Sequence, residues 1–306
     1  MNPHPAAMLL ALGLDAAIGW PDALYRRIGH PVTWCGALIS VLELRWNQGG
    51  AAQRRLAGLA TALLVILLSI ALAALLQRHA GLWLTAILAW PLLAARSLHQ
   101  HVAAVAAPLE TGDLPAARRA VAMIVGRDPE VLDASGIARA ALESLGENAS
   151  DGIIAPLFWG AIFGLPGIAG YKAVNTLDSM LGHRSPRYFA FGWAAARIDD
   201  VANLIPARLT ALLFALAAAD KAASLKTAWR DARHHRSPNG GWPEAAMAGA
   251  LGLRLSGPRI YGNEIANEPW INAAGRDPGA EDIAAGLALY RRMLLLAAAM
   301  LGIAAL

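Results

Sequence analysis

Cysteine is nearly absent from this sequence, because Cys35 is the only one among 306 residues. A disulfide framework and a metal site built from several thiolates are therefore excluded. Cys35 itself lies in an apolar stretch that offers no evident base to activate a thiol. We interpret it as a packing residue rather than as a nucleophile.

Charge is also scarce. Only 16% of the residues are charged and 57% are hydrophobic, whereas a soluble domain carries roughly 25% charged residues. The net charge of +4 does not indicate nucleic-acid binding, because the arginines are scattered along the chain. We interpret the basic pairs as loop anchors that face an anionic lipid leaflet. No basic region precedes the first apolar run and Asp15 interrupts it, so we expect no cleaved signal peptide.

One long apolar run has no charged residue. Residues 56–76 lie between Arg54-Arg55 and Arg78, and as a helix they would rise about 31 Å, which matches the hydrocarbon core of a bilayer. This run predicts a transmembrane helix. Four shorter apolar segments, each compatible with a tilted span, an interfacial helix or a buried helix, are residues 8–20, 82–95, 209–219 and 293–306.

No segment alternates apolar and polar residues as a half-buried strand would. The sequence therefore predicts an all-α fold, that of a polytopic integral membrane protein. We expect a single membrane domain over residues 1–306, with polar helical segments between the apolar runs forming the active site.

Three acids recur at helical spacing before an apolar segment. Glu143, Glu147 and Asp151 fall at i, i+4 and i+8, so an α-helix would place them on one face. Like charges on one face repel each other unless a cation neutralises them. Carboxylates of this kind suit Mg²⁺, which binds one or two of them together with substrate phosphates. The alternative is a solvated helix face without a ligand.

Lysine is rare, with three residues against 23 arginines. One of them, Lys172, begins a group that continues with Asn175 and Asp178 at intervals of three residues, which places the group on one broad helix face. A lysine can neutralise a phosphate as a point charge. The alternative is an interfacial lysine that extends its ammonium group into water.

A third polar group contains Arg197, Asp199, Asp200 and Asn203, and Arg208 follows. Adjacent aspartates point about 100° apart on a helix, so the two need not bind the same ligand. Two acids next to an apolar run are costly near hydrocarbon, at about 2.5–3.5 kcal/mol for each charge. A bound cofactor or metal would offset that cost.

Weaker signals remain. We interpret His234 and His235 as an exposed loop pair rather than as metal ligands, because adjacent histidines do not share a helix face. Residues 126–129 (GRDP) fit either a phosphate-binding turn or a helix stop. A Walker A motif is absent, because no lysine directly follows a glycine.

Several motifs together resemble the signatures of one family, the CobD/CbiB adenosylcobinamide-phosphate synthases, and they span nearly the whole chain in order. They are GHPVTW at 29–34, VGRDP at 125–129, ENASDGIIAP at 147–156, YKAVNTLDS at 171–179, ARIDDVAN at 196–203, PARL at 206–209, WRD at 229–231 and SPN at 237–239.

The resemblance implies a ligase of cobalamin biosynthesis. Such an enzyme joins adenosylcobyric acid, a corrinoid, to (R)-1-amino-2-propanol O-phosphate or ethanolamine phosphate through an amide bond, and it consumes ATP. An unactivated carboxylate does not acylate an amine at neutral pH, so we expect ATP to form an acyl phosphate first, with Mg²⁺ neutralising the phosphates. The expected location is the bacterial inner membrane, with the active site on the cytoplasmic side. Membrane lipids and other enzymes of the pathway are expected partners, and nucleic acid is not.

The same resemblance suggests roles for individual residues. Catalytic roles fall to Glu147, Asp151 and Lys172. The expected substrate-binding residues are Arg127, Asn148, Asn175, Arg197, Asn203 and Arg208. The expected metal ligands are Glu143, Glu147, Asp151, Asp178, Asp199 and Asp200. Which carboxylate acts as the base stays open.

Two other classes of protein are alternatives. Residues 151–155 (DGIIA) mimic the start of the CDP-alcohol phosphotransferase signature, but Pro156 replaces its arginine and its second half does not follow at the right distance. A transporter or membrane scaffold would place ionisable groups inside long spans, whereas here they cluster between apolar runs.

The motifs impose a condition on topology. A straight helix over residues 153–169 would rise about 26 Å and hold the groups at Asp151 and Lys172 on opposite sides of a bilayer. Pro156, Pro166 and several glycines weaken that helix. We therefore expect residues 153–169 to form a broken, re-entrant or shallow segment that returns Lys172 to the side of Asp151.

Overall fold

The computed structural model describes residues 2–125, 130–183, 185–261, 264–266 and 268–306, with the backbone alone for 259–261 and 264–266. The chain is 77% helical. The prediction of an all-α polytopic membrane protein is confirmed. The chain forms two compact units: unit 1 contains residues 1–94, 155–203 and 300–306, and unit 2 contains residues 95–154 and 204–299. The expectation of a single domain over the whole chain stays a prediction.

The helices follow one another along the chain. They are α1 (Pro3–Ile18), α2 (Asp22–Ile28), α3 (Pro31–Trp46), α4 (Ala51–Gln77), α5 (Leu82–Ala89), α6 (Ala95–Glu110), α7 (Leu114–Ala122), α8 (Ala134–Ala149), α9 (Ala155–Phe163), α10 (Leu165–Leu181), α11 (Trp193–Ala202), α12 (Leu204–Ala217), α13 (Lys221–Asp231), α14 (Gly241–Leu251) and α15 (Ala280–Ala305). Among the described residues between α14 and α15 there are four short strands. They are β1 (Leu255–Ser256), β2 (Arg259–Tyr261), β3 (Glu264–Ala266) and β4 (Trp270–Ile271). They form two antiparallel pairs, β1 with β4 and β2 with β3.

Within the described residues, three helical segments are long and apolar enough to cross a membrane, or up to five if two bent helix pairs each count as one span. The three are Ala51–Gln77, Leu82–Glu110 and Ala280–Ala305. The first contains the uncharged run 56–76, so that prediction is confirmed. The apolar segment 293–306 is the second half of the 26-residue helix α15 rather than a separate short element.

Helix α4 packs in unit 1 against α10, in a core that includes Ile39, Val65, Leu177 and Phe191. A close backbone approach fixes their spacing, because a methyl group at Gly58 would overlap the carbonyl oxygen of Phe191. Glycine is therefore required at this position of α4.

Helices α9 and α10 form a hairpin in unit 1. Gly164 joins them with φ of 68°, a left-handed conformation that favours glycine. A methyl group at Gly167 would overlap the carbonyl oxygen of Trp159, so the two helices lie in close contact. Gln77 accepts the backbone N–H of Leu165 at 2.5 Å. The expectation that the segment 153–169 is broken is confirmed, and the side of the membrane on which each motif lies stays a prediction.

Unit 2 holds its strands in place with ion pairs. The guanidinium groups of Arg139 and Arg254 lie 4.8 Å and 4.6 Å from the ring centre of Trp270 in β4. Both arginines also form ion pairs with Asp277. A bidentate pair between Arg276 and Asp282 follows at the start of α15. These contacts tie the strand region to α8 and to α15.

Candidate functional site

Helix α8 presents its two acids differently. Glu143 is 6% exposed and accepts the backbone N–H of Ser256 at 2.7 Å. Glu147, one turn later, is exposed. It lies beside the start of α14, because a methyl group at Gly240 would be 3.7 Å from Oε1 of Glu147. The carboxylate of Glu143 thus supports the β1 strand, whereas a ligand can reach the carboxylate of Glu147.

Asp151 lies just beyond α8. The helix ends at Ala149, and residues Ser150–Ile154 form a π-helical turn. One continuous α-helix therefore does not carry all three acids, because Asp151 lies in the π turn; the shared face of the three side chains stays a prediction. Single π turns inside helices are frequent at functional sites. Nothing in the spacing of the acids indicates this turn.

The polar group of α10 is arranged as the sequence predicts. Lys172, Asn175 and Asp178 are half-buried, and the residues between them are buried, so the three share one face of α10. The ammonium group of Lys172 lies 3.4 Å from Oδ1 of Asn175. This pair offers a cation and an amide to the same ligand.

A cleft in unit 1 opens beside Lys172. Its volume is about 240 Å³, and its walls are mostly apolar, with contributions from Cys35, Leu72, Leu92 and Thr176. Small-molecule pockets usually measure about 300–1,000 Å³. The cleft is therefore smaller than most small-molecule pockets, and Lys172 is the charged residue in its lining.

Helix α11 divides its two aspartates between different partners. Asp200 forms an ion pair with Arg197 at 3.1 Å on the exposed side. Asp199 accepts the amide of Asn203 at 3.0 Å, and Asn203 in turn accepts the hydroxyl of Tyr171 at 2.9 Å. These contacts agree with the interpretation that the two adjacent aspartates need not bind the same ligand. Asn203 is 1% exposed, so its amide links α10 to α11 and is not presented at the surface.

Arg208 in unit 2 is held in a fixed orientation. Its Nη1 donates to the carbonyl oxygen of Leu204 at 2.6 Å and to Oδ1 of Asn239 at 3.3 Å. Its guanidinium carbon lies 4.7 Å from the ring centre of Trp242. These contacts occupy Nη1 and one face of the guanidinium group. The other edge of this exposed group points away from Leu204, Asn239 and Trp242. A guanidinium arranged in this way suits a phosphate or carboxylate.

The histidine pair does not behave as one exposed group. His234 is exposed, whereas the side chain of His235 is 4% exposed and lies 3.5 Å from Oε1 of the buried Glu244. Nδ1 of His235 accepts the backbone N–H of Ser237 at 3.1 Å. The interpretation of an exposed pair is therefore wrong for His235, which fixes the turn that carries Asn239 to Arg208. Sequence reasoning missed Asn239, Trp242 and Glu244 as part of this group; only the SPN motif at 237–239 pointed to it.

The model of the CobD/Cbib protein family matches residues 8–290. The chain belongs to the CobD/CbiB family.

Relatives in this family share high identity over nearly their whole length. A cobalamin biosynthesis protein CobD of Rhodobacter capsulatus is 63% identical over 298 residues, covering 94% of this chain and 93% of the relative. Those of Sinorhizobium fredii and Brucella anthropi are 47% and 49% identical, covering 95% and 92% of this chain and 94% and 90% of the relatives. No solved structure matches the chain. The chain is thus a CobD/CbiB family protein of cobalamin biosynthesis.

The expected Mg²⁺ ligands of this CobD/CbiB protein do not form a closed cage. Among the residues that the structure describes, no three His, Cys, Asp or Glu side chains lie close enough together to hold a metal ion. Mg²⁺ usually binds one or two carboxylates and completes its shell with water and substrate phosphates, so Glu147 or Asp151 with substrate phosphates is compatible with it. Asn148 next to them is exposed, and its amide donates to Ser144. The predicted substrate-binding residue Arg127 lies outside the described residues.

Proposed function

We propose that this protein is an adenosylcobinamide-phosphate synthase, an ATP-dependent ligase that forms an amide between adenosylcobyric acid and an amino-alcohol phosphate. The observation that carries the proposal is the family match over residues 8–290, which includes each described polar group above. The names of the relatives support a role in cobalamin biosynthesis. The finer reaction is our inference from the family resemblance and from chemistry.

The reaction needs two steps. A carboxylate oxygen of adenosylcobyric acid attacks the terminal phosphorus of ATP, which forms an acyl phosphate and releases ADP. The neutral amine then attacks the acyl carbon, phosphate leaves, and a base takes the proton that the new amide loses. When bound, Mg²⁺ would neutralise phosphate charge. The protein therefore has to position two anionic groups of its substrates and to accept one proton from the amine.

Unit 2 supplies residues for both tasks. Glu147 is an exposed carboxylate at the end of α8, and Asp151 follows in the π turn. Either acid suits the base or the metal ligand. Arg208 is fixed by Asn239 and Trp242, so little side-chain freedom remains to be lost when it binds an anion. We assign Arg208 to a phosphate or a carboxylate of a substrate.

Unit 1 has a cation of its own. We assign Lys172, with Asn175 beside it, to a substrate phosphate, because a half-buried ammonium group next to an amide can bind an anion away from bulk water. Arg197, Asp178, Asp199 and Asp200 are further candidates for phosphate or metal contacts. An inner-membrane location with the reaction on the cytoplasmic side, where ATP is present, completes the proposal.

The decisive experiment uses purified full-length protein in detergent. It is given adenosylcobyric acid and Mg-ATP with aminopropanol phosphate, ethanolamine phosphate or the two unphosphorylated amines, and products are identified by mass spectrometry. We expect an amide product and one ADP for each amide formed, with a phosphorylated amine preferred. Amide formation without ATP, or ADP release that does not depend on the corrinoid, would contradict the proposal.

A further inference from the structure

Helix α13 exposes the face that a water-soluble helix would bury. Its inner face packs on α14 through small and polar groups: the hydroxyl of Ser224 donates to the carbonyl oxygen of Ala246 at 2.7 Å, and Thr227 lies against Gly249. On its outer face, Leu225 is 45% exposed and Trp229 is 79% exposed. This inverted arrangement indicates that something less polar than water covers the outer face.

Basic side chains flank these two apolar residues. Lys221 lies one turn before Leu225 on the same side, Lys226 lies on the other flank, and both are exposed. Two of the three lysines of the chain are thus on this one helix. Neither has an ion-pair partner among the residues that the structure describes. Lysines can extend their ammonium groups past an apolar surface to reach anionic partners.

The position of α13 along the chain identifies the partner. It begins four residues after the end of α12, and α11 and α12 together form a bent pair that is long and apolar enough for a broken span or a re-entrant loop. A helix that starts there lies near the level of the lipid headgroups. Tryptophan between headgroups and acyl chains, with lysines beside it, is the usual composition of an interfacial helix.

We propose that α13 lies flat in the interface of an anionic leaflet, with Leu225 and Trp229 between the acyl chains and with Lys221 and Lys226 on lipid phosphates. Trp229 also touches Trp242, with ring centres 5.8 Å apart, and Trp242 supports Arg208. The lipid surface would therefore be separated from Arg208 by two indole rings. This inference goes beyond the proposed ligation and does not depend on it.

The test uses the full-length protein with Cys35→Ala and Leu225→Cys, so that a bimane label reports from one position. The labelled protein is reconstituted in nanodiscs of phosphatidylcholine, with and without phosphatidylglycerol. Brominated lipid and aqueous iodide serve as quenchers. The charge variant combines Lys221→Gln and Lys226→Gln. The matched control combines Arg45→Gln and Arg119→Gln, two exposed cations elsewhere in the chain.

We expect brominated lipid to quench the label several-fold more than iodide does. Phosphatidylglycerol should increase the quenching by brominated lipid, and salt should reduce this increase. The lysine variant should lose the increase, whereas the arginine control should keep it. Thermal unfolding of each variant verifies the fold. Strong iodide quenching without bromolipid quenching in both lipids would overturn the proposal. Protection of the label in native membranes but not in nanodiscs would also overturn it and would indicate a protein partner. If quenching by brominated lipid is the same with and without phosphatidylglycerol and in the lysine variant, the assignment to anionic headgroups is overturned.

Discussion

Helices α8 and α10 each carry charged side chains of the motifs, but they hold them in different surroundings. On α10, Lys172 and Asp178 are both half-buried on one face. On α8, Glu143 is buried and its carboxylate accepts a backbone N–H, whereas Glu147 is exposed. Two acids one turn apart on α8 therefore serve different purposes, one within the fold and one at the surface.

The difference shows that spacing alone does not assign a charged residue to a site. A carboxylate that satisfies a buried N–H contributes to stability, and its loss leaves that donor without a partner. An exposed carboxylate contributes little to the fold. Substitutions on the two helices should therefore separate effects on activity from effects on stability.

The largest effect on activity is expected at Glu147. Glu147→Gln keeps the shape and removes the charge, so ligation should fall by about 100-fold or more if this group is the base, while the melting temperature stays unchanged. Steady-state assays at saturating Mg²⁺ measure the ligation rate, and differential scanning calorimetry measures the melting temperature. Glu110→Gln, at another exposed glutamate, is the matched control. Normal turnover of Glu147→Gln would remove Glu147 from the reaction.

A second test concerns the cation of α10. Lys172→Met should weaken the use of a phosphate substrate by about 10- to 100-fold, because a charge-assisted hydrogen bond contributes about 1.5–3 kcal/mol. Kinetics with phosphorylated and unphosphorylated amines, and with varied ATP, identify which phosphate is involved. Arg45→Met removes an exposed cation of the same unit and should have no effect. An equal loss with every substrate, together with a lower melting temperature, would indicate a structural role for Lys172.

Stability should respond at Glu143. Glu143→Ala leaves the N–H of Ser256 without its acceptor and should destabilise the protein by about 1–3 kcal/mol. Glu143→Gln retains an acceptor oxygen and should cost less. Denaturant unfolding in detergent measures both variants. If both unfold like the wild type but lose ligation, Glu143 belongs to the catalytic machinery and the contrast within α8 disappears.

The smallest effect is expected where α8 is tied to the strand region. Arg254 hydrogen bonds to Asp277 and holds the pKa of that carboxyl below its usual range, with a further contribution from Arg139 of α8, although partial burial opposes the shift. The ionised carboxylate therefore stabilises the fold at neutral pH, and this stabilisation is lost as the pH falls below about 4. Asp277→Asn should lower stability at pH 7 by about 1 kcal/mol or less, as for other exposed pairs. The gap between the melting temperatures of wild type and variant should narrow as the pH falls from 5 toward 3; a gap that is constant with pH would argue against the ion pair.

Features that depend on neighbouring residues were predictable from the sequence. The span in α4 follows from an uncharged run between arginines, and the shared face of Lys172, Asn175 and Asp178 follows from helical spacing. The break between α9 and α10 follows from their proline and glycine content, although Gly164 as the turning point did not.

Features that depend on distant partners were not predictable. Burial of Glu143 requires Ser256, which lies 113 residues away in the chain. Fixation of Arg208 requires Asn239, which lies 31 residues away. The π turn at Asp151 leaves no mark in the pattern of acids, because it is a change in backbone hydrogen bonding that the spacing of the side chains does not reveal.

The contact between Gly58 and Phe191 has a consequence for how the protein itself is synthesised and assembled. The backbone that fills the space above Gly58 leaves the ribosome well over a hundred residues later than α4 does. Until then Gly58 lacks the backbone that packs on it in the folded protein. Lateral assembly of already inserted helices, rather than insertion itself, is then the step at which a bulky side chain at residue 58 would arrest the maturation of the protein.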